Sequence, residues 1–242
     1  MNIAVVCGLI ILVLLVVMLL AGVPIAVALA VSSICAILPV LNLGASVLTG
    51  AQRIFSGISV FSLLAIPFFI LAGNIMNNGG IAIRLVNCAR LISGRLPGSL
   101  AQTNIVANML FGAISGSGTA AAAAIGGTMA PIELEEGYDK DYVAAVNIAS
   151  APTGQLIPPS NTLIVYATVA GSVSVAALFM AGYIPGIAWG ISLMFIAGYM
   201  AKKRGYVSTF SVTPKEALKV LWDALPSLLL IIIVIGGILK GV

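Results

Sequence analysis

The residues best suited to hold a ligand are small hydroxyl side chains and backbone carbonyls at two interruptions of long apolar runs. The first interruption is Ser115–Thr119, where serines alternate with glycines. The second is Pro152–Asn161, where Pro158 and Pro159 lack an N–H donor and therefore free carbonyls from helical bonding. Neutral oxygens of this kind replace the hydration shell of a small cation. The two interruptions together predict a Na+ site.

The second interruption also carries groups that suit an anion. Ser160, Asn161 and Thr162 follow the two prolines and are residue types that cap the start of a helix. A helix N-terminus carries the positive end of the helix dipole and favours negative charge. The alternative for both interruptions is structural, because small residues also mediate close helix packing in membranes and prolines also kink helices.

Composition places these interruptions inside a membrane protein. Hydrophobic residues make up 61% of the 242 residues and charged residues only 7%, whereas a soluble domain has roughly 25% charged residues. The net charge of +4 comes from basic residues in short segments between apolar runs. This pattern indicates membrane topology and not nucleic-acid binding. No histidine and no P-loop are present, so we expect neither a histidine-dependent enzyme nor an ATPase.

The apolar runs predict an all-α polytopic chain, since a spanning helix needs about 20 mostly apolar residues. The predicted elements are spans at 3–21, 25–41 and 59–77, interfacial helices at 42–58 and 81–95, a hairpin at 99–131, a broken helix at 142–182, a span at 185–201, a short amphipathic helix at 214–223 and a last apolar run at 224–239.

The two interruptions fall inside the hairpin and the broken helix. Residues 99–131 form two arms of about 14 residues around Ser115–Gly118, and each arm is too short to cross a core about 30 Å thick. They predict a re-entrant helical hairpin, with a single glycine-kinked span as the alternative. Residues 142–182 predict a half-helix to about Ser150, an unwound stretch, and a second helix from about Thr162.

Polar residues elsewhere have simpler expected roles. The acidic residues concentrate in 132–141, and we expect all of them to lie in water, with no carboxylate at membrane depth and no proton relay. Five asparagines are expected to form hydrogen bonds between helices or to lie at helix ends: Asn74, Asn77, Asn78, Asn104 and Asn108. The basic residues at 84–95 and 202–204 are expected on the cytoplasmic side.

The block from Gly112 to Asn161 resembles the large membrane subunit (M subunit) of TRAP (tripartite ATP-independent periplasmic) transporters. The segments PFFILAGNIMNNGGIAIRL and FMAGYIPG on either side add to the resemblance, which covers essentially the whole chain. The family's subunit is about twice as long and contains a second, inverted repeat. We therefore expect this chain to correspond to the first half of such a subunit.

The resemblance implies an elevator-type secondary transporter in the bacterial inner membrane. It implies Na+-coupled uptake of organic acid anions, such as dicarboxylates, sialic acid or related carboxylates. The implied partners are a small membrane subunit and a periplasmic substrate-binding protein, with no cofactor beyond Na+. We expect a transport part at 99–182 that moves against scaffold parts at 1–98 and 183–242, the latter with a cytoplasmic basic loop at 202–205.

By motif match the resemblance also implies ligand residues. The implied Na+ site consists of Ser115, Ser117, Gly154, Ile157 and Pro159, of which the glycine and the isoleucine contribute backbone only. The implied substrate-facing edge consists of Ser160 and Asn161. Two other functions stay open: a carrier of the divalent-anion symporter type, which needs no binding protein, and a non-transporting membrane assembly subunit whose small residues only pack helices.

Overall fold

The computed structural model describes residues 3–171, 173–206 and 212–240. Every regular element in this part of the chain is helical, which confirms the predicted all-α class. The chain divides into two compact units, residues 1–61 and 62–242.

The first unit contains three helices: α1 (Ile3–Leu20), α2 (Ile25–Ile37) and α3 (Leu43–Ile58). Helices α1 and α2 pack together across a turn in which Gly22 has a φ of +77°, a conformation that glycine adopts without strain. The Asn42 side chain accepts a hydrogen bond from the Ala45 N–H at 2.9 Å and caps α3. The predicted span at 25–41 is too long, because Pro39 cannot continue the helix and α2 already ends at Ile37.

The second unit contains the two interruptions. Its helices are α4 (Ala65–Asn78), α5 (Ile81–Ser93), α6 (Ser99–Ser115), α7 (Gly118–Glu135), α8 (Lys140–Ser150), α9 (Thr153–Leu156), α10 (Asn161–Ala170), α11 (Val175–Arg204) and α12 (Pro214–Lys240). Helix α6 is buried along most of its length and packs against α5, α7, α8, α9 and α11. The predicted span at 59–77 starts later, since a 3-10 turn (Phe61–Leu64) precedes α4.

Helices α6 and α7 form an antiparallel pair. The Asn104 amide near the start of α6 donates to the Glu133 carboxylate near the end of α7 at 3.2 Å. The predicted break is present but shorter, because only Gly116 and Ser117 are non-helical. Gly116 ends α6 with a φ of +62°, and the Ser117 hydroxyl caps α7. The arms have 17 and 18 residues, and their placement in a membrane stays a prediction.

The broken helix differs from the prediction at its second half. Helix α8 ends at Ser150, as expected, and the stretch after it includes the single turn α9. Helix α10 ends at Ala170 and is followed by Gly171, whose φ is +68°, so it does not continue to residue 182. Helix α11 then runs for 30 residues through the predicted boundary at 182/183. Lys202–Arg204 form its last turn and not a loop, where basic side chains suit the negative end of the helix dipole.

The two elements predicted at 214–223 and 224–239 are one helix, α12, of 27 residues. Pro226 lies inside this helix without ending it. At its start the Thr213 N–H and hydroxyl donate to Glu216 at 3.0 and 2.8 Å. These hydrogen bonds lower the pKa of the exposed Glu216 side chain, because they stabilise its charged form.

The expectation that every acidic side chain lies in water is wrong for Glu133, which is fully buried. Helix α7 continues to Glu135 and does not end at 131. The helical period therefore places Glu133 on the same face as the buried Ile125 and Met129. Its neighbours Glu135 and Glu136 are exposed.

Two helices in the described part of the chain are long and apolar enough, by length and composition, to cross a membrane. They are α1 and α11. None of the residues of α1 is buried within the chain.

Candidate functional site

The two helix breaks lie directly against each other. At the start of α10 the Asn161 N–H donates to the Gly116 carbonyl at the hairpin tip, at 3.1 Å. A Cβ atom on Gly116 would lie 2.8 Å from the Pro159 carbonyl oxygen. Because no side chain fits there, the backbone of the tip is in contact with the backbone around Pro159.

A second backbone contact joins α6 to α9. A Cβ atom on Gly112 would lie only 2.1 Å from the Gly154 Cα. A Cβ atom on Gly154 would lie 2.9 Å from the Gly112 Cα and 3.5 Å from the Ser117 carbonyl oxygen. Ser117 and Gly154 are therefore close in space, as the predicted site requires.

Three hydroxyl side chains alternate along the hairpin tip. The Ser115 hydroxyl is almost fully buried and lies 3.4 Å from both the N–H and the carbonyl oxygen of Ser117. The Ser117 hydroxyl lies 3.0 Å from the Thr119 hydroxyl. Together with Gly73 and Asn74 of α4 these residues line a pocket of about 350 Å3.

The pocket includes residues that the sequence reasoning missed as site residues. Thr119 continues the alternation of hydroxyl residues, and this pattern was a usable signal. Gly73 approaches the tip so closely that a Cβ atom on it would lie 3.5 Å from the Ser115 Cβ. Nothing local in the sequence relates Gly73 to Ser115, because the contact forms only when α4 packs against α6.

Neutral oxygens are the donors that this region offers to a cation. The described part of the chain contains no group of three or more His, Cys, Asp or Glu side chains that could hold a metal ion. Serine hydroxyls and backbone carbonyls are weak-field ligands that suit a singly charged ion better than a transition metal. The residues present therefore fit Na+, whose binding here stays a prediction.

The predicted ligands Pro159 and Ile157 have different surroundings. The Pro159 carbonyl lies next to the hairpin tip, and its peptide bond with Pro158 is cis. The Ile157 side chain packs against α11, where a Cβ atom on Gly186 would lie 2.6 Å from the Ile157 Cγ1. The Ile157 N–H donates to the Thr153 carbonyl at 2.8 Å. A backbone contribution of Ile157 to the cation site stays a prediction.

The two residues of the predicted substrate-facing edge also differ. Ser160 is fully buried; its hydroxyl donates to the Gln155 carbonyl and accepts from the Leu163 N–H at 3.3 Å, so that it caps α10. The Asn161 Oδ1 atom is buried and has no hydrogen-bond partner among the described residues. An amide oxygen of this kind accepts a hydrogen bond or contacts a cation. The substrate-facing role of both residues stays a prediction.

Helix α11 supports the segment around α9 with a glycine face, which we define as Gly182, Gly186 and Gly190. A Cβ atom on Gly182 would lie 2.5 Å from the Leu156 carbonyl oxygen, and one on Gly190 would lie 2.3 Å from the Met109 sulfur. The spacing of four residues places all three on one side of the helix. It is a known signal for close helix packing in membranes, and the sequence reasoning did not use it.

Buried amides connect the hairpin to α8. The Asn108 Nδ2 atom lies 2.8 Å from the Asn104 Oδ1, 2.9 Å from the Ser150 hydroxyl and 3.2 Å from the Asn147 Oδ1. Gly126 of α7 makes room for Asn147, since a Cβ atom there would lie 2.2 Å from the Asn147 Nδ2. These contacts join α6 to α8 and confirm the predicted hydrogen bonds between helices for Asn108, and the Asn104–Glu133 hydrogen bond confirms them for Asn104.

Comparison with known proteins gives a consistent result over nearly the whole chain. Residues 12–242 match the family model described as the tripartite ATP-independent periplasmic transporter, DctM component.

Three curated relatives illustrate the similarity. An uncharacterized protein, YgiK, from Salmonella typhimurium is 54% identical over 91% of this chain and 51% of its own length. The sialic acid TRAP transporter large permease protein SiaM from Vibrio cholerae is 40% identical over 79% of this chain and 44% of its own length. The C4-dicarboxylate TRAP transporter large permease protein DctM from Rhodobacter capsulatus is 37% identical over 80% and 47%. The chain thus spans about half the length of the curated relatives that it matches.

Proposed function

This chain belongs to the DctM component family of tripartite ATP-independent periplasmic transporters, a family of membrane permeases and not of enzymes, and we propose that it forms part of a Na+-coupled transporter of organic acid anions. The proposed substrates are dicarboxylates, sialic acid or related carboxylates. The names of the SiaM and DctM relatives, which refer to sialic acid and C4-dicarboxylates, support this class.

The proposed setting is the inner membrane of a bacterium. We propose that the chain works there with a small membrane subunit and a periplasmic substrate-binding protein. The description of the family as tripartite and periplasmic supports these partners.

The observation that carries the proposal is the contact between the two helix breaks. Backbone away from regular helices is tolerated at membrane depth only where it is buried in protein or lines a watered cavity. The backbone of three residues is in contact with protein in this way, because each residue lies close to the other break: Gly116, Ser117 and Gly154. The unpaired Asn161 Oδ1 adds another acceptor oxygen at the start of α10.

The proposed mechanism is an elevator movement of the hairpin together with the broken helix. The Gly112–Gly154 and Gly116–Asn161 contacts leave no gap between the two elements, so they would move as one body. A Na+ ion held between them neutralises part of the charge of an anionic substrate. Each elementary charge that crosses 100 mV changes the free energy by about 2.3 kcal/mol, so the membrane potential contributes to uptake when net positive charge enters.

The experiment that tests the Na+ site replaces Ser115 or Ser117 with alanine in the complete transporter that contains this chain. Uptake of labelled substrate is measured against Na+ concentration. Loss of one ligand oxygen, or of a hydrogen bond that holds it in place, is expected to weaken the free energy of Na+ binding by about 1–3 kcal/mol. The Na+ concentration for half-maximal uptake should therefore rise about fivefold to more than a hundredfold.

Ser192→Ala is the matched control. Ser192 is exposed on α11, and its hydroxyl donates only to the Ala188 carbonyl of its own helix. The Ser192→Ala variant should show the same dependence of uptake on Na+ concentration as the unmodified protein. An unchanged Na+ dependence in both tip variants would reject the proposed site.

A further inference from the structure

The base of the hairpin holds a carboxyl group in unusual surroundings. Glu133 lies in the last turn of α7, and its side chain has no exposed surface. One carboxyl oxygen, Oε2, accepts a hydrogen bond from the Asn104 amide at 3.2 Å. The other, Oε1, is buried without a hydrogen-bond partner among the described residues.

No cation neutralises this carboxyl group in the described part of the chain. The ion pair found there joins Arg204 to Asp139, and no lysine or arginine side chain that the structure describes forms an ion pair with Glu133. The titratable groups that interact electrostatically with Glu133 are the Tyr138 and Tyr142 hydroxyls, which are neutral at physiological pH.

The energetic balance of these surroundings favours the neutral acid. A buried carboxylate with a single neutral donor leaves most of its charge uncompensated, which is far more costly than a neutral hydroxyl with one hydrogen bond missing. The Asn104 amide satisfies the carbonyl oxygen of the acid equally well.

Glu133 is also connected to the segment at the second break. Asn104 Oδ1 accepts from the Asn108 amide, which in turn lies 2.9 Å from the Ser150 hydroxyl. The Thr153 hydroxyl donates to the Ser150 carbonyl at 2.6 Å, and Thr153 directly precedes Gly154. A line of buried hydrogen bonds therefore runs from the hairpin base to α9.

We propose that Glu133 is a proton-binding site of this protein, a carboxylic acid kept neutral at physiological pH at the base of the hairpin. The proposal does not depend on Na+ coupling or on transport. It replaces the expectation from the sequence that no acid lies inside the protein.

Infrared difference spectroscopy of the purified full chain in detergent tests the proposal directly. A carboxylic acid has a carbonyl stretching band that a carboxylate lacks. We expect this band at neutral pH in the unmodified protein and its loss in Glu133→Gln. Glu135→Gln, which changes an exposed carboxyl group on the same helix, should retain the band.

Thermal unfolding as a function of pH provides a second measurement. A folded state that binds the proton more tightly than the unfolded chain loses stability as the pH rises between the two pKa values. Glu133→Gln should therefore unfold at the same temperature as the unmodified protein in acid and at a higher temperature than the unmodified protein in alkaline solution.

Each contrary result overturns the proposal. One is a spectrum without a band that depends on Glu133, and another is a Glu135→Gln spectrum that loses the band as well. Failure of Glu133→Gln to fold would also contradict it, because glutamine keeps the size of the side chain and removes only a charge that the proposal says is absent.

Discussion

Single glycines determine how closely the two helix breaks approach each other. Gly112 and Gly154 pack backbone to backbone, and Gly116 contacts Pro159 in the same way. At these positions the absence of a side chain is the property that the site requires. Glycine weakens a helix by about 1 kcal/mol relative to alanine, so the packing at the close contact must offset that loss of helix stability.

Gly112→Ala is expected to lower the stability of the protein by about 1–3 kcal/mol, the usual cost of inserting atoms into a packed interior. The added methyl group would meet the Gly154 Cα at 2.1 Å, and backbone cannot move aside as a flexible side chain can. Thermal unfolding in detergent measures the change.

The matched control is Gly127→Ala. Gly127 is also helical, but a Cβ atom on it would meet no atom within 4 Å. Alanine is the better helix former, so this variant should be as stable as the unmodified protein or slightly more stable. Equal effects of the two alanine substitutions would show that the Gly112–Gly154 contact is not needed.

At the scale of elements, α11 is the support on which the non-helical stretch rests. Its glycine face lies against the Leu156 carbonyl, against Ile157 and against Met109. These three contacts differ in how easily the atoms that face each glycine could move aside for an added methyl group. The Met109 sulfur lies near the end of a flexible side chain, whereas the Leu156 carbonyl belongs to the backbone of the second break.

Gly182→Ala is therefore expected to disturb ion binding, and Gly190→Ala is expected to leave it largely intact. Both add one methyl group to the same face of α11. If Na+ binds the folded transporter, Na+ raises the unfolding temperature, and at a given Na+ concentration the rise is larger when the affinity for Na+ is higher. This rise should be smaller in the Gly182 variant and nearly unchanged in the Gly190 variant. The reverse order would reject a role of the Leu156 contact in holding the site.

At the scale of the whole molecule, the residues that the structure describes include one hairpin and one broken helix, and the chain spans about half the length of its curated relatives. The first unit leaves α1 without a buried residue. An apolar helix of this kind needs lipid or another chain to cover it. We therefore treat uptake as a property of the complete transporter.

Dependence on a periplasmic binding protein distinguishes the proposed function from its rivals. Vesicles that contain the complete transporter are expected to take up substrate only when the binding protein is added. A carrier of the divalent-anion symporter type would transport without it. A membrane assembly subunit that only packs helices would give no uptake in either case.

The sequence alone determined the features that depend on a few neighbouring residues. The all-α class, a tip break within Ser115–Gly118, the end of α8 at about Ser150 and a helix cap among Ser160, Asn161 and Thr162 all follow from local chemistry. Glycine permits the left-handed backbone, serine accepts the first free N–H groups of a helix, and proline removes a donor. Such effects act within one or two turns and are readable without the fold.

The tertiary structure decided what depends on residues far apart in the chain. It buried Glu133 beside Asn104, placed Gly73 against Ser115, and turned Ile157 toward α11. It also kept α11 continuous from Val175 to Arg204. Each outcome is set by which helix faces pack together, and the free energy of such packing belongs to pairs of surfaces and not to either segment alone.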